Sequence, residues 1–272
     1  MPHLNQPSGF VPTIISQALL GFFLCIFWPS LTSGVEPNTG ETLWQFVVLG
    51  QLEFAADHTV EKPKLSAMAA QFASLQQQLG KELQVPPLDR QLRIYLFQSQ
   101  KSFAQHLKKW IPSVTWGGVM CRRGLFLLRQ ERPYVFLVVS EELTGDFRHE
   151  CTHVLLNLYY GELPIWLDEG LAQCYEATDG SHWNAKAFDR LRRDWLGRSP
   201  PSVASLAKLK QMSDLGPREY AGAWANVYHW LSDPDVGHPY LQRYLETLRS
   251  GNKPEPFVEK MPEFGRLENL RR

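Results

Sequence analysis

Residues 148–153 read Arg-His-Glu-Cys-Thr-His and run directly into the apolar Val154, Leu155 and Leu156. On an α-helix, side chains four apart stand one above the other on the same face. His149 and His153 can therefore turn both imidazoles toward one metal ion at about 2.0 to 2.1 Å. Glu150 lies about 100° around the helix from His149. There it reaches a water held by the metal without occupying a ligand position, which suits a general base. Cys151, two residues from each histidine, points away from them on a helix and reads as a small buried packing residue.

A catalytic zinc takes three protein donors and keeps one position open, so a further donor must come from elsewhere. Fifteen residues separate His153 from Glu169. That is enough for the motif helix to end near Tyr160, turn at Gly161, and return as a second helix starting near Pro164, a residue suited to a helix start. Glu169 then falls in the second turn of that helix, and Gly170 allows the motif helix and its successor to approach closely. The expected site is one Zn2+ ion held by His149, His153 and Glu169, with Glu150 as the base. Asp168 is expected either to accept the second ring N–H of a ligating histidine or to stand as a solvated acid near a helix start, where the dipole favours negative charge. Tyr220 is the candidate donor to a tetrahedral oxyanion. It shares a helical face with Trp224, Val227 and Leu231, so core packing is the competing role. His229 falls on another face and reads as exposed or locally bonded. Only Cys174 has a spacing that could add a fourth ligand, which argues against a purely structural zinc.

The segment Trp166-Leu167-Asp168-Glu169-Gly170-Leu171-Ala172, downstream of the HExxH residues, resembles the gluzincins, whose signature joins HExxH to a helix carrying W-L-x-E-G-x-A. The likeness is greatest to the small peptidase-MA-like domains and spans about residues 42–231. It implies a zincin-like fold, with His149, His153 and Glu169 as zinc ligands and Glu150 as general base. It also implies a peptide or protein substrate, and a strand hairpin before the motif helix that forms a substrate-lining edge. The helix opened by Tyr220 is similar to one that packs against the site in such domains. In aminopeptidases of this clan a G-x-M-E-N segment captures the substrate amine. The nearest counterpart here, Gly117-Gly118-Val119-Met120-Cys121, lacks the Glu and the Asn, so the resemblance does not extend to that specificity. The alternative function is a catalytically weak or inactive zinc-binding domain that holds peptides or partners. Against it, a carboxylate in the base position beside an open metal site has no evident use in binding alone.

The elements that must position these residues follow from hydrophobic periodicity. Residues 42–49 alternate as a strand, with Trp44, Phe46 and Val48 on one face. Leu65, Met68, Ala69, Phe72, Leu75, Leu79 and Leu83 then recur at helical spacing, with Gly80 expected to shorten the element. A strand over 92–97 and a helix over 102–110 complete a β-α-β-α unit. Strands at 124–128 and 134–139 form a hairpin around Glu131, Arg132 and Pro133. Beyond Gly145 helices are expected over 147–160, 164–176, 187–196, 205–212, 217–231 and 240–248. The fold class is α+β, a small mixed sheet with helices followed by a mainly helical part that carries the metal site. The domain is expected over 41–272, divided into 41–143 and 144–272.

The chain of 272 residues is 44% hydrophobic, ample for a core. Its 28 Lys and Arg balance 28 Asp and Glu, so net charge offers no attraction to nucleic acid. Residues 18–28 form an unbroken apolar run ending at Pro29, the length of a signal-peptide h-region. A membrane span needs about 20 apolar residues, and extension back to Phe10 meets Pro12, Ser16 and Gln17. Residues 1–34 are thus expected to be a signal peptide or, through residues 10–28, a membrane anchor. Either places the domain outside the cytoplasm: secreted, periplasmic or on the outer face of a membrane. Phe22-Phe23-Leu24 before Cys25 lacks the small residues of a lipoprotein cleavage box. Without the leader, Cys121, Cys151 and Cys174 remain, an odd number without zinc-ribbon spacing.

Overall fold

The computed structural model describes residues 44–111, 123–194 and 201–251. The leader, Cys25, the 117–121 segment and the tail around 253–256 lie outside the described residues. Five strands build one mixed sheet in the order β1-β2-β3-β5-β4: β1 (Gln45–Leu49), β2 (Leu52–Ala56), β3 (Leu92–Phe97), β4 (Gly124–Arg129) and β5 (Arg132–Val138). The central β2, β3 and β5 are parallel, and the edge strands β1 and β4 run antiparallel to their neighbours.

Strand β2 has no counterpart among the sequence expectations. It pairs with β1 through a turn at Gly50, whose φ is +61. The crossover helix α1 (Lys62–Leu83) therefore leads from β2, not β1, into β3. The physical reason is that Leu52, Phe54, Ala55 and Ala56 are all buried, so a central strand covered on both faces shows no polar alternation. In β3 the alternation is plain: Leu92, Ile94 and Leu96 enter the larger core, and Tyr95 and Phe97 enter the smaller one. Helix α1 packs Leu65, Met68, Phe72, Leu75, Leu79 and Leu83 into the larger core and runs through Gly80 without interruption. Helix α2 (Gln100–Trp110) covers the opposite face with Phe103 and Leu107. It starts two residues earlier than the spacing predicts, because the Ser99 side chain accepts the Ser102 N–H at 3.1 Å, a standard N-cap.

Gln130 and Glu131 alone join β4 to β5, both with positive φ (50 and 62), as a two-residue hairpin turn requires. Pro133 consequently sits inside β5 and not in the turn. It is tolerated there because pairing with β3 begins only at Tyr134.

Among the described residues the remaining elements are α3 (Leu143–Tyr160), α4 (Ile165–Tyr175), α5 (Ala185–Asp194), α6 (Val203–Leu206), α7 (Pro217–Leu231) and α8 (Gly237–Arg249). The helix expected over 205–212 is replaced by the short α6 and a 3-10 turn at Met212–Asp214. The fold is thus α+β, with a five-stranded mixed sheet and eight helices among the described residues. No helix among them is long and apolar enough to cross a membrane. Gly170 does mark a close approach, but to α7 and not to α3: a Cβ there would lie 2.7 Å from the Ala223 carbonyl oxygen.

Candidate metal centre

Helix α3 begins just beyond β5 and lays Phe147, Cys151, Val154 and Leu155 into the core. This rotation leaves His149 and His153 facing α4. Gly161, at φ +77, ends α3 and lets the chain turn back, and α4 then presents Glu169 to both rings and Asp168 to His153. The Nε2 atoms of His149 and His153 lie 3.1 Å apart. Glu169 Oε2 is 3.4 Å from the first and 3.9 Å from the second. The donor atoms of these three residues all fall within 4.8 Å of one another, close enough to hold a metal ion.

Each ring is pinned from behind. Asp168 Oδ2 stands 2.8 Å from His153 Nδ1 as an ion pair, without the alignment of a hydrogen bond. Glu176 Oε1 stands 2.7 Å from His149 Nδ1, and its other oxygen accepts from Asn184 Nδ2 at 3.0 Å. Sequence reasoning placed Glu176 merely at a helix end. The available signal was its position seven residues after Glu169, two turns along the same face of α4. These carboxylates act on both rings. Burial works to lower the His149 imidazole, but Glu169 and Glu176 outweigh it and carry the ring well above the usual histidine range. For His153 burial is likewise overcome, by Asp168 and Glu169. The pocket therefore favours positive charge between its carboxylates.

Arg148, the motif's first residue, is fully buried. Its Nε donates to the Tyr175 carbonyl at 2.8 Å and its Nη2 to Gln78 Oε1 at 2.9 Å. A cation thus caps the carbonyl end of α4, where the helix dipole is negative. The same contact fixes the backbone immediately before Glu176.

Glu150 and Tyr220 both line a cavity of about 350 Å³ beside the candidate ligands His149 and Glu169, together with Gly124, Arg123 and Asp146. Gly124, the first residue of β4, lies against Glu150: a Cβ there would fall 2.5 Å from Oε1 and 2.8 Å from Cγ. The edge strand and the motif glutamate are in direct van der Waals register. The Tyr220 hydroxyl is 3.5 Å from Glu169 Oε1, too long for a strong hydrogen bond, and directed at the metal donors. Cys174 turns away, its Sγ 3.9 Å from the Trp224 carbonyl oxygen, and Cys151 is buried in the core; neither joins the cluster. No family model matches the chain, and no curated protein matches it.

Arg123 was not anticipated. It borders the cavity and is held by Asp146 through bonds of 2.8 and 2.9 Å. Asp146 precedes His149 by one helical turn, a spacing that could have suggested its placement at the site.

Proposed function

We propose that the chain is a zinc-dependent hydrolase of the gluzincin type, with a zincin-like fold, that cleaves peptide bonds outside the cytoplasm. The observation that carries the reading is the convergence of one potential ligand atom from each of His149, His153 and Glu169 within 4.8 Å of one another. Carboxylates lie near both Nδ1 atoms, which favours the tautomer protonated there, and each Nε2 faces the other and Glu169. The carboxylates around the rings favour positive charge there, and a metal ion can supply that charge in place of bound protons. Two imidazoles and one carboxylate are a donor set that suits zinc and leaves a position open.

Zinc, when bound, supplies a Lewis acid that polarises a substrate carbonyl and makes a water more acidic. The rest is done by the chain's own groups. Asp168 and Glu176 hold the rings of His153 and His149 in the ligating orientation. Glu150 takes the proton of the attacking water on its carboxylate and returns it to the departing amine nitrogen. Gly124 leaves the space in which Glu150 stands. The Tyr220 hydroxyl, close to Glu169, is placed to donate to the oxyanion. Peptides are the substrate class by resemblance to gluzincins, and the apolar run at 18–28 supports the exported location.

Glu150→Gln is expected to keep stoichiometric zinc by elemental analysis and to lose all cleavage of a mixed peptide library read by mass spectrometry. Undiminished cleavage by this variant, or a wild-type protein that takes up no zinc, would end the proposal.

A further inference from the structure

A groove of about 940 Å³ adjoins the metal cavity and shares Arg123, Asp146, His149, Glu176 and Tyr220 with it. Helix α5 forms its far wall. Lys186, Arg190 and Arg193 all line the groove, and their spacing of four and then three residues puts them on one helical face. The other side of α5 is anchored by the buried Phe188 and Leu191. The seven helical steps from Lys186 to Arg193 make the basic stripe about 10 Å long, the length of about three residues of extended peptide.

Two acids of the groove are firmly engaged: Asp146 takes Arg123, and Glu176 takes His149 and Asn184. Asp189 faces Arg192 at 3.8 Å with both side chains more than half exposed, so that pair is loose. Glu142 meets Lys186 at 3.3 Å, but with the lysine side chain 77% exposed this pair holds little energy. A substrate carboxylate can replace it. Arg190 and Arg193 are exposed and have no anionic partner among the described residues. Trp183, packed on Phe188 and Trp224, gives the same groove an aromatic wall.

We infer that this groove selects peptides carrying acidic side chains over about two or three residues on one side of the cleaved bond, with Lys186, Arg190 and Arg193 as the specificity-determining residues. The inference rests on the hydrolase reading only for the cleavage; the charge preference stands on the groove itself.

The test uses the full chain with Glu150→Gln, loaded with zinc, and fluorescein-labelled peptides identical except at adjacent positions occupied by Asp and Glu, by Ala, or by Lys. Fluorescence anisotropy is expected to show the acidic peptide bound about tenfold or more tightly than the Lys peptide, with the gap closing as salt rises to about 0.5 M. Adding Lys186→Glu, Arg190→Glu and Arg193→Glu is expected to reverse the order, and the corresponding Gln triple to level it. Unchanged circular dichroism and zinc content identify folded variants. Equal affinity for acidic and Lys peptides overturns the inference, as does an order unchanged by charge reversal in a folded protein, or no binding of any peptide at about 1 mM. Zinc-loaded wild type separates the two readings. Cleavage without charge preference removes the groove assignment alone, and acidic preference without any cleavage removes the hydrolase assignment alone.

Discussion

Glu176→Gln changes one atom and leaves the shape of the site intact, so its effect measures what the carboxylate contributes to the metal centre. In the native protein one oxygen faces His149 Nδ1 at 2.7 Å and the other accepts from Asn184 Nδ2 at 3.0 Å. Asn184 cannot turn over to suit a new partner. Its Oδ1 accepts the Ala187 N–H at 3.0 Å and caps the start of α5. A glutamine that offers its oxygen to His149 must therefore point its NH2 at the NH2 of Asn184, donor against donor. If it flips, the clash moves to the histidine N–H. Either orientation loses a charge-assisted bond behind a metal ligand, a loss that typically costs about 10 to 100-fold in metal affinity, or about 1.4 to 2.7 kcal/mol. Zinc affinity measured by competition with a chromophoric chelator should fall by that factor. Glu176→Asp, which keeps the charge but draws it back, should fall between the two. A Gln variant that binds zinc within about twofold of wild type would refute the reasoning, because it would show that the orientation of His149 does not depend on the carboxylate behind it.

Three further outcomes follow from the same geometry. Gly124→Ala puts a Cβ 2.5 Å from Glu150 Oε1; a base displaced by about 1 Å should lower kcat by about 100-fold while zinc titration stays unchanged, since no donor atom is touched. Gly170→Ala forces a Cβ to 2.7 Å from the Ala223 carbonyl oxygen and 2.8 Å from Val227 Cγ2, and should cost about 1 to 3 kcal/mol, read as a lower urea midpoint. His106 is buried among Trp44, Tyr95, Phe97 and Trp110. Burial, and secondarily Lys109, depress its ring from 6.5 to about 4. The folded state therefore resists a proton that the unfolded chain accepts, so stability is full above pH 6.5 and declines as pH falls toward 4. The total loss is about 3 kcal/mol. Urea midpoints across that range should fall less steeply in His106→Phe, and equal slopes would show that another group carries the acid dependence.

What could be read from the chain alone was whatever a local period encodes. HExxH places two rings and a carboxylate by helical spacing, and Glu169 required only a helix, a turn and a return. Gly170, by contrast, signals through its lack of a side chain that some backbone comes close, and nothing in a local period says whether that backbone belongs to α3 or α7. Strand β2 was invisible for a related reason: buried on both faces, it has no alternation to display. Glu176 and Arg148 are tertiary in a stricter sense. Arg148 reads as a polar residue ahead of a motif, yet its guanidinium is sealed in the core and ties the end of α4 to Gln78 on α1. Burying that charge without a carboxylate lowers its affinity for the proton and is tolerable only because backbone and amide oxygens surround it. The carbonyl it caps belongs to Tyr175, so the same bond fixes where the chain places Glu176, and Glu176 fixes where His149 turns. The residue before His149 thus bears on the orientation of that ring through a second helix, a route that only the folded chain creates.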